Sequence, residues 1–234
     1  MITRIEIDGF KTFHNFTMEF TPFTIVAGTN ASGKSNLFDA LKLLSRLAET
    51  NIKTAFNSTI LRGEAIEQFS QLTNGSYTHK MRFAAEMLLD PEITDNWGGS
   101  ATLKYTRLRY EIEIERCRNA KGFDDLFLTK EVLKPIDFEK DQWVEKHIRH
   151  DLVHAWVPKH DKQIITPFIR TKDKGDKGNF NFEIKDFGPP LTVEILANGS
   201  ENQSLINIDN KVTRFPHVFA AKNEMMNWRF LQLN

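Results

Sequence analysis

Residues 28–35 read Gly28-Thr29-Asn30-Ala31-Ser32-Gly33-Lys34-Ser35, and this stretch decides how the rest of the chain is interpreted. It matches the pattern G-x-x-x-x-G-K-[ST] at every defined position. Glycine admits backbone conformations that aim successive N–H groups at phosphate oxygens. The lysine brings a positive charge to the same anion, and the serine hydroxyl is a ligand for Mg²⁺. The stretch therefore predicts a phosphate-binding loop, or P-loop.

The flanking residues supply the context that such a loop requires. Phe23–Ala27 is a short apolar run bounded by a proline and a glycine, which predicts a buried strand. After the loop, leucine and alanine recur at helical spacing and predict an amphipathic helix from about Ser35 to Glu49. The positive end of that helix would face a bound anion. We therefore predict that the ligand is ATP, bound as Mg-ATP, with Ser35 as a ligand of the metal.

The rest of the chain is dominated by strand patterns. Ile2–Phe10 alternates apolar with charged residues, and Phe16–Phe20 alternates as well, so the two predict an early antiparallel pair. Residues 78–195 alternate with a period of mostly two and predict a β-rich insertion, and a helix is predicted over Val218–Asn227. The predicted fold class is therefore α/β, of the P-loop NTPase type. We expect a mixed sheet with an antiparallel, β-rich portion around the P-loop helix.

Composition limits the classes of function. The 234 residues are 40% hydrophobic and 26% charged, with a formal net charge of zero, so no bulk charge attracts the chain to nucleic acid or to an anionic membrane. Cys117 is the single cysteine, which excludes an intrachain disulfide. No apolar run reaches the length of a membrane span, and the N-terminus alternates, unlike the apolar core of a signal peptide. The expected compartment is the cytoplasm, with no membrane partner.

Two segments carry a resemblance to a known group. ITRIEIDGFKTF (residues 2–13) and FTIVAGTNASGKSNLFDAL (residues 23–41) resemble the amino-terminal ATPase lobe of the SMC/RecF/OLD-type branch of ABC ATPases. That branch opens with a strand, a short N-F-R/K turn, a G-x-N-x-S-G-K-[ST]-N loop and a helix containing D-A. The resemblance is close over residues 2–48, and WRFLQLN (residues 228–234) resembles a segment of bacterial "AAA family" ATPases of this branch. It implies that residues 1–234 are a single ABC-ATPase head lobe.

The resemblance also implies roles for individual residues. It implies that Asn30 and Ser32 shape the phosphate loop beside Lys34, and that Asn36 is a further nucleotide-binding residue. Lys11, in the F-K-T turn (residues 10–12), matches a basic residue that often contacts the nucleotide, although a solvated lysine on a turn has the same pattern. Gln232 is a candidate for the Q-loop glutamine that senses Mg²⁺ and the attacking water, although an ordinary surface glutamine would look the same.

A complete ATPase of this branch needs two further motifs. They are an L-S-G-G-[QE] signature and a Walker B strand, whose Asp supports Mg²⁺ and whose Glu polarises the attacking water. The nearest Walker B candidate is Met87–Glu92, but Pro91 replaces the catalytic glutamate, and a strand end with a turn explains the segment equally well. Leu196–Ser200 is no better as a signature. We therefore expect a first lobe that hydrolyses little ATP alone. Its expected partner is a second lobe, or a second ATPase head with the nucleotide between the two.

A group of histidines and the single cysteine are candidates for other chemistry, namely metal binding and thiol reactivity. If the segment is a helix and not a strand, one of its faces carries His147, His150, Asp151 and His154, which could hold zinc. Their charged neighbours suggest a solvated polar surface instead. Cys117 has no neighbouring histidine or second cysteine, so an ordinary residue is the simpler interpretation.

Three hypotheses of function remain open. The first is an ABC-type ATPase head lobe whose ATP-driven association controls a linked activity. For that lobe the resemblance implies DNA repair or anti-phage defence, with DNA or an effector protein as a further candidate partner. The second is a stand-alone nucleotide sensor that does not hydrolyse ATP. The third is a small P-loop phosphotransferase, which the early antiparallel pair disfavours, because such kinases place parallel βαβ units directly after the loop.

Overall fold

Ten strands and five helices make up the part of the chain that the structure, a computed structural model, describes. That part comprises residues 1–30, 32–56, 65–72, 75–118, 122, 124–158, 166–174, 180–186, 190–195, 203–207 and 211–229. The strands are β1 (Ile2–Asp8), β2 (Phe16–Glu19), β3 (Lys80–Leu88), β4 (Glu92–Thr94), β5 (Ser100–Thr102), β6 (Arg107–Arg118), β7 (Asp124–Pro135), β8 (Ile169–Lys174), β9 (Phe180–Ile184) and β10 (Leu191–Ile195). The helices are α1 (Lys34–Leu47), α2 (Ile52–Ala55), α3 (Gln142–His147), α4 (Val153–Trp156) and α5 (Pro216–Met226).

Eight of these strands form one sheet, in the order β10-β9-β8-β7-β6-β3-β1-β2. All of its described pairings are antiparallel. Strands β4 and β5 form a separate hairpin. The pairing of β1 with β2, with Ile5 opposite Met18, agrees with the early antiparallel pair expected from the alternation. The α/β class and the antiparallel, β-rich portion of the sheet are confirmed.

Helix α1 and the sheet share one hydrophobic core. The helix buries an apolar stripe that includes Leu37, Leu44 and Leu47, and β1 contributes Ile5 and Ile7 to the same core. Burial of each such side chain contributes about 1.5–3 kcal/mol. The helix that follows the P-loop is therefore firmly attached to the sheet, and it begins and ends close to the predicted bounds.

The other face of the sheet carries ion pairs. Arg109 lies 2.7 Å from a carboxylate oxygen of Glu6 and 2.9 Å from one of Glu111. Lys130 and Lys134 each lie 3.0 Å from Glu111. Burial raises the pKa of Glu111, but hydrogen bonds from the arginine and the two lysines outweigh it and lower that pKa to about 2. The charges on this face largely neutralise one another, which gives it no strong field of one sign.

A buried carboxylate attaches residues 203–207 to the sheet. Glu131 of β7 accepts hydrogen bonds from the hydroxyls of Tyr110 and Ser204, at 2.9 and 2.6 Å. It also accepts from the backbone N–H groups of Leu205 and Ile206, at 2.7 and 3.1 Å. Burial raises the pKa of this carboxyl group despite its four donors. Because the network is buried, we interpret it as a structural contact that fixes this segment to the sheet.

The helices of the described residues run from 4 to 14 residues. The predicted helix over Val218–Asn227 is observed as α5, which begins at Pro216, a residue suited to the first turn of a helix. None of these helices combines the length and the apolar character needed to cross a membrane.

Candidate phosphate-binding site

The predicted P-loop leads directly into α1, which begins at Lys34. Gly33 stands at the N-cap with φ 91°, a left-handed conformation that favours glycine. Its carbonyl accepts the first helical hydrogen bond, from the N–H of Leu37 at 3.0 Å. Among the described residues, no side chain caps this helix and no acidic residue lies in its first turn. The positive end of α1 is therefore directed at the loop, where it would stabilise an anion.

The loop closes around the ammonium group of Lys34. This group donates to the carbonyls of Gly28 at 2.5 Å and Thr29 at 2.6 Å, and to the hydroxyl of Ser32 at 3.3 Å. A Cβ added at Gly28 would lie 2.8 Å from that hydroxyl and 3.9 Å from the ammonium, so glycine keeps space inside the loop. The hydroxyl-bearing Ser35 follows and is exposed. The positive charge and the helix N-terminus suit a phosphate, and the Ser35 hydroxyl is an oxygen ligand of the kind that Mg²⁺ takes.

The F-K-T turn lies beside the start of α1. Asn36 of α1 donates a hydrogen bond from Nδ2 to the hydroxyl of Thr12, at 2.9 Å. The ammonium of Lys11 lies 2.5 Å from Oδ2 of Asp39, also on α1. The turn that carries Lys11, the predicted nucleotide contact, therefore lies beside the helix that follows the loop, and the charge of Lys11 is paired with that helix.

Most of the predicted site is contiguous in space. Residues 28–30 and 32–36 form the loop and the first turn of α1, whereas Ala31 and Gln232 lie outside the described residues. Sequence reasoning missed Asp39, whose side chain is only 4% exposed. The available signal was a carboxylate next to the apolar stripe of a predicted helix, since a buried charge requires a partner.

The predicted buried strand at Phe23–Ala27 is wrong. The segment has no regular secondary structure, and the side chains of Phe23 and Ile25 are 80% and 75% exposed. Only Val26 packs in part against the core. A strand of this kind is buried by neighbouring strands on its two sides, and no described strand pairs with these residues. The apolar run is therefore present without the partner that would bury it.

The group of histidines considered as a zinc site does not share one helix. Helix α3 ends at His147 and α4 begins at Val153, so the two outer histidines lie on different helices. Between them, Arg149 pairs with Asp151 at 2.8 Å. No group of three or more His, Cys, Asp or Glu side chains in the described part of the chain could hold a metal ion. The observed arrangement agrees with the solvated-surface interpretation.

A buried aspartate–histidine pair has the composition of a catalytic dyad but not its geometry. Nδ1 of His217 lies 2.7 Å from a carboxylate oxygen of Asp186, and both side chains are 1% exposed. Nε2 of the same ring accepts a hydrogen bond from the backbone N–H of Tyr105, at 3.0 Å. This assigns the ring proton to Nδ1. Because Nε2 is engaged by the backbone, the pair anchors the start of α5 and does not activate a nucleophile.

The Walker B candidate at Met87–Glu92 has the geometry of a strand end with a turn. Strand β3 ends at Leu88, and Asp90 is exposed. The carbonyl of Pro91 accepts from the N–H of Leu103 at 2.7 Å, at the base of the β4–β5 hairpin. The signature candidate, Leu196–Ser200, lies outside the described residues.

Comparison of the sequence with known proteins identifies relatives. Residues 1–225 match the AAA ATPase domain family. The chain is 32% identical over 123 residues to the chromosome partition protein Smc of Thauera aminoaromatica, covering 52% of this chain and 9% of that protein. It is 34% identical over 74 residues to the structural maintenance of chromosomes protein 1 of Schizosaccharomyces pombe, covering 29% of this chain and 6% of that protein. The chain spans less than a tenth of the length of these curated relatives.

Two solved structures are similar over about half of the chain. One belongs to work on the structural biochemistry of ATP-driven dimerization and DNA stimulated activation of SMC ATPases. It is 20% identical with a TM-score of 0.34, and the match covers 55% of this chain and 69% of that chain. The other is the SmcHead bound to the C-winged helix domain of ScpA, which is 16% identical with a TM-score of 0.35. That match covers 54% of this chain and 35% of that chain.

Proposed function

The chain belongs to the AAA ATPase domain family, and from that premise we propose that residues 28–36 hold its nucleotide as Mg-ATP. The observation that carries this proposal is the uncapped N-terminus of α1, with the ammonium of Lys34 inside the loop that precedes it. The backbone N–H groups and Lys34 would bind the phosphates, and Ser35 would be a ligand of Mg²⁺. When bound, Mg²⁺ neutralises charge on the phosphate oxygens.

The proposed partner is a second lobe, or a second ATPase head, that packs beside residues 23–27. Phe23 and Ile25 support this, because two large apolar side chains that are more than two-thirds exposed mark an interaction surface. These residues lead directly into Gly28, so a partner strand would order the backbone that enters the P-loop. We further propose that ATP lies between this lobe and its partner.

Little hydrolysis is proposed for the chain alone. The Walker B candidate does not supply the required pair, since Asp90 is exposed just before the base of a hairpin and Pro91 stands in place of the catalytic glutamate. For the whole protein we propose DNA repair or anti-phage defence in the cytoplasm, with DNA or an effector protein as a further partner. The relatives are named for chromosome partition and chromosome maintenance, which supports DNA as the further partner.

The proposal is tested by thermal unfolding with increasing Mg-ATP. A ligand at a hundred times its Kd stabilises the folded state by about 2.7 kcal/mol, so the melting midpoint rises measurably. We expect this rise in the wild-type chain and in Lys53→Ala, whose ammonium pairs with Asp125 on β7. We expect no rise in Lys34→Ala. A similar rise in Lys34→Ala would show that the nucleotide binds elsewhere.

The stand-alone sensor remains the second candidate. It is favoured by the same uncapped helix, which can bind nucleotide without hydrolysing it. Phosphate release from Mg-ATP, measured with the chain alone and with the proposed second lobe or head added, distinguishes the two functions. Release that appears only in the mixture supports the ATPase lobe, whereas none in either sample supports the sensor.

A further inference from the structure

The F-K-T turn contacts the start of α1 at two places besides Lys11. The hydroxyl of Thr12 accepts the hydrogen bond from Nδ2 of Asn36, at 2.9 Å. A Cβ added at Gly33 would lie 3.6 Å from that hydroxyl and 3.7 Å from the ring of Phe13. The side chains of Thr12 and Phe13 therefore border the space beside Gly33, where the P-loop becomes a helix. A displacement of the turn would therefore alter the packing at the start of α1.

Lys11 reaches α1 from an uncommon backbone conformation. Its φ is 48°, in the left-handed region that disfavours any residue with a Cβ. Two interactions compensate for this. The N–H of Lys11 donates to the carbonyl of Gln68 at 2.7 Å, and its ammonium lies 2.5 Å from Oδ2 of Asp39. The side-chain contact is therefore part of what keeps the turn in its observed shape.

Asp39 is the buried member of this ion pair. Its side chain is 4% exposed, and that of Lys11 is 11% exposed. A carboxylate buried to this degree is stable only with a counterion or strong donors. Asp39 follows Lys34 by five residues, which is about 7.5 Å along the helix axis. The pair thus joins the turn to the side of the same helix whose N-terminus faces the loop.

We infer that Asp39 is a positioning residue of the nucleotide site. It acts through Lys11 and keeps the F-K-T turn against Gly33 and Asn36, so that the P-loop is ordered before the nucleotide binds. Preorganisation of this kind raises affinity because less conformational entropy is lost on binding. This inference rests on the proposed function, since it concerns the affinity of the same loop for Mg-ATP.

The inference differs from a direct contact between Lys11 and the nucleotide. If Lys11 acts only through Asp39, loss of either member releases the turn equally. Loss of both should then be no worse than loss of one, which is the non-additivity expected of a contacting pair. A direct contact would instead make Lys11→Met the more harmful single change.

The test is the Kd for Mg-ATP, measured by calorimetry at a temperature where circular dichroism shows every variant folded. We expect Asp39→Asn, Lys11→Met and their double variant to weaken binding equally, each by about tenfold. We expect Asp39→Glu, which retains the charge, to recover most of the affinity. The matched control is Lys53→Met with Asp125→Asn, a pair 3.2 Å apart on α2 and β7, which should leave the Kd unchanged.

Several outcomes would overturn the inference. One is a wild-type Kd in folded Asp39→Asn, which would reduce the pair to a role in stability alone. Another is an additive loss in the double variant, which would mean that the two residues act separately. Lys34→Ala is measured beside them. If the wild-type chain does not bind Mg-ATP, or if Lys34→Ala binds as tightly as the wild type, the proposed function fails and the inference fails with it.

A second variant covers the case in which Asp39→Asn does not fold. Thr12→Val removes the hydroxyl that accepts from Asn36, on an exposed side chain, and should fold normally. We expect it to weaken Mg-ATP binding about threefold, because the turn loses one of its contacts with α1. Thr17→Val, at an exposed position on β2, is the control. Equal affinity in the two valine variants would contradict the positioning role of the turn.

Discussion

Replacing Asp141 by alanine should leave a guanidinium charge inside the protein without its main counterion. Nε of Arg107 donates to one carboxylate oxygen of Asp141 at 2.6 Å, and Nη2 donates to the other at 3.0 Å. The side chains of both residues are 2% exposed. The third guanidinium nitrogen donates to the hydroxyl of Thr3 on β1, at 2.7 Å. The pair therefore joins β6 to the segment before α3 and to the strand that leads into the F-K-T turn.

The magnitude follows from burial. Breaking a buried ion pair by removing one partner costs about 3–5 kcal/mol. Glu86 still lies 3.6 Å from Arg107, so the lower end of that range, about 3 kcal/mol, is expected. In a chain of this size the melting midpoint should fall by roughly 6–12 °C.

Differential scanning calorimetry and urea unfolding both measure this effect. The control is Asp151→Ala. The side chains of Arg149 and Asp151 are 76% and 60% exposed, so loss of their ion pair should shift the melting midpoint by less than about 2 °C. The double variant Arg107→Met with Asp141→Leu should recover most of the loss, since no charge is then left buried. A loss below about 1 kcal/mol in Asp141→Ala, or one equal to the control, would refute the buried pair.

Three further predictions concern the sheet face, the loop and the exposed segment. Glu111→Gln should destabilise the chain at neutral pH by about 1–2 kcal/mol, a value reduced for partial exposure. Because the folded pKa of Glu111 is lowered to about 2, this contribution is present above the unfolded pKa and disappears as the pH falls from about 5 towards 2. Urea midpoints at pH 7 and pH 3 measure the change, and an equal difference at both pH values would contradict it. Gly33→Ala has room for its Cβ but must adopt a φ of 91°, which disfavours alanine. It should lower the free energy of unfolding by roughly 1–2 kcal/mol and weaken Mg-ATP binding, as thermal unfolding and calorimetry measure. Unchanged affinity would argue against the helix N-terminus as the anion site. Phe23→Ser with Ile25→Ser should leave the melting midpoint unchanged while lowering the binding of an apolar dye, and a clear loss of stability would show that the segment is buried after all.

Local chemistry made the loop and α1 predictable from the sequence. Gly28, Gly33, Lys34 and Ser35 lie within eight consecutive positions, so their chemistry does not depend on distant packing. The leucine stripe marked α1 because helical periodicity is itself a local property. The same is true of the alternation in β1, whose pairing with β2 was expected and is observed.

Contacts between distant positions could not be predicted in this way. The pairing of Lys11 with Asp39 joins residues 28 positions apart, and nothing in the turn itself indicates the partner. The buried strand predicted at Phe23–Ala27 was wrong for a related reason. Apolar character shows that a segment can be buried, but it does not show whether a neighbouring strand is present to bury it. The alternative of a histidine face required one continuous helix, but α3 ends at His147, and periodicity over a few residues does not reveal such a break.

The most direct test of the central claim is a calorimetric titration of Mg-ATP into the wild-type chain and into Lys34→Ala. The proposed site predicts one bound nucleotide per chain in the wild type and no measurable heat of binding in the variant, with both proteins equally folded by circular dichroism. Binding that survives the loss of Lys34 would contradict the assignment of the nucleotide to residues 28–36.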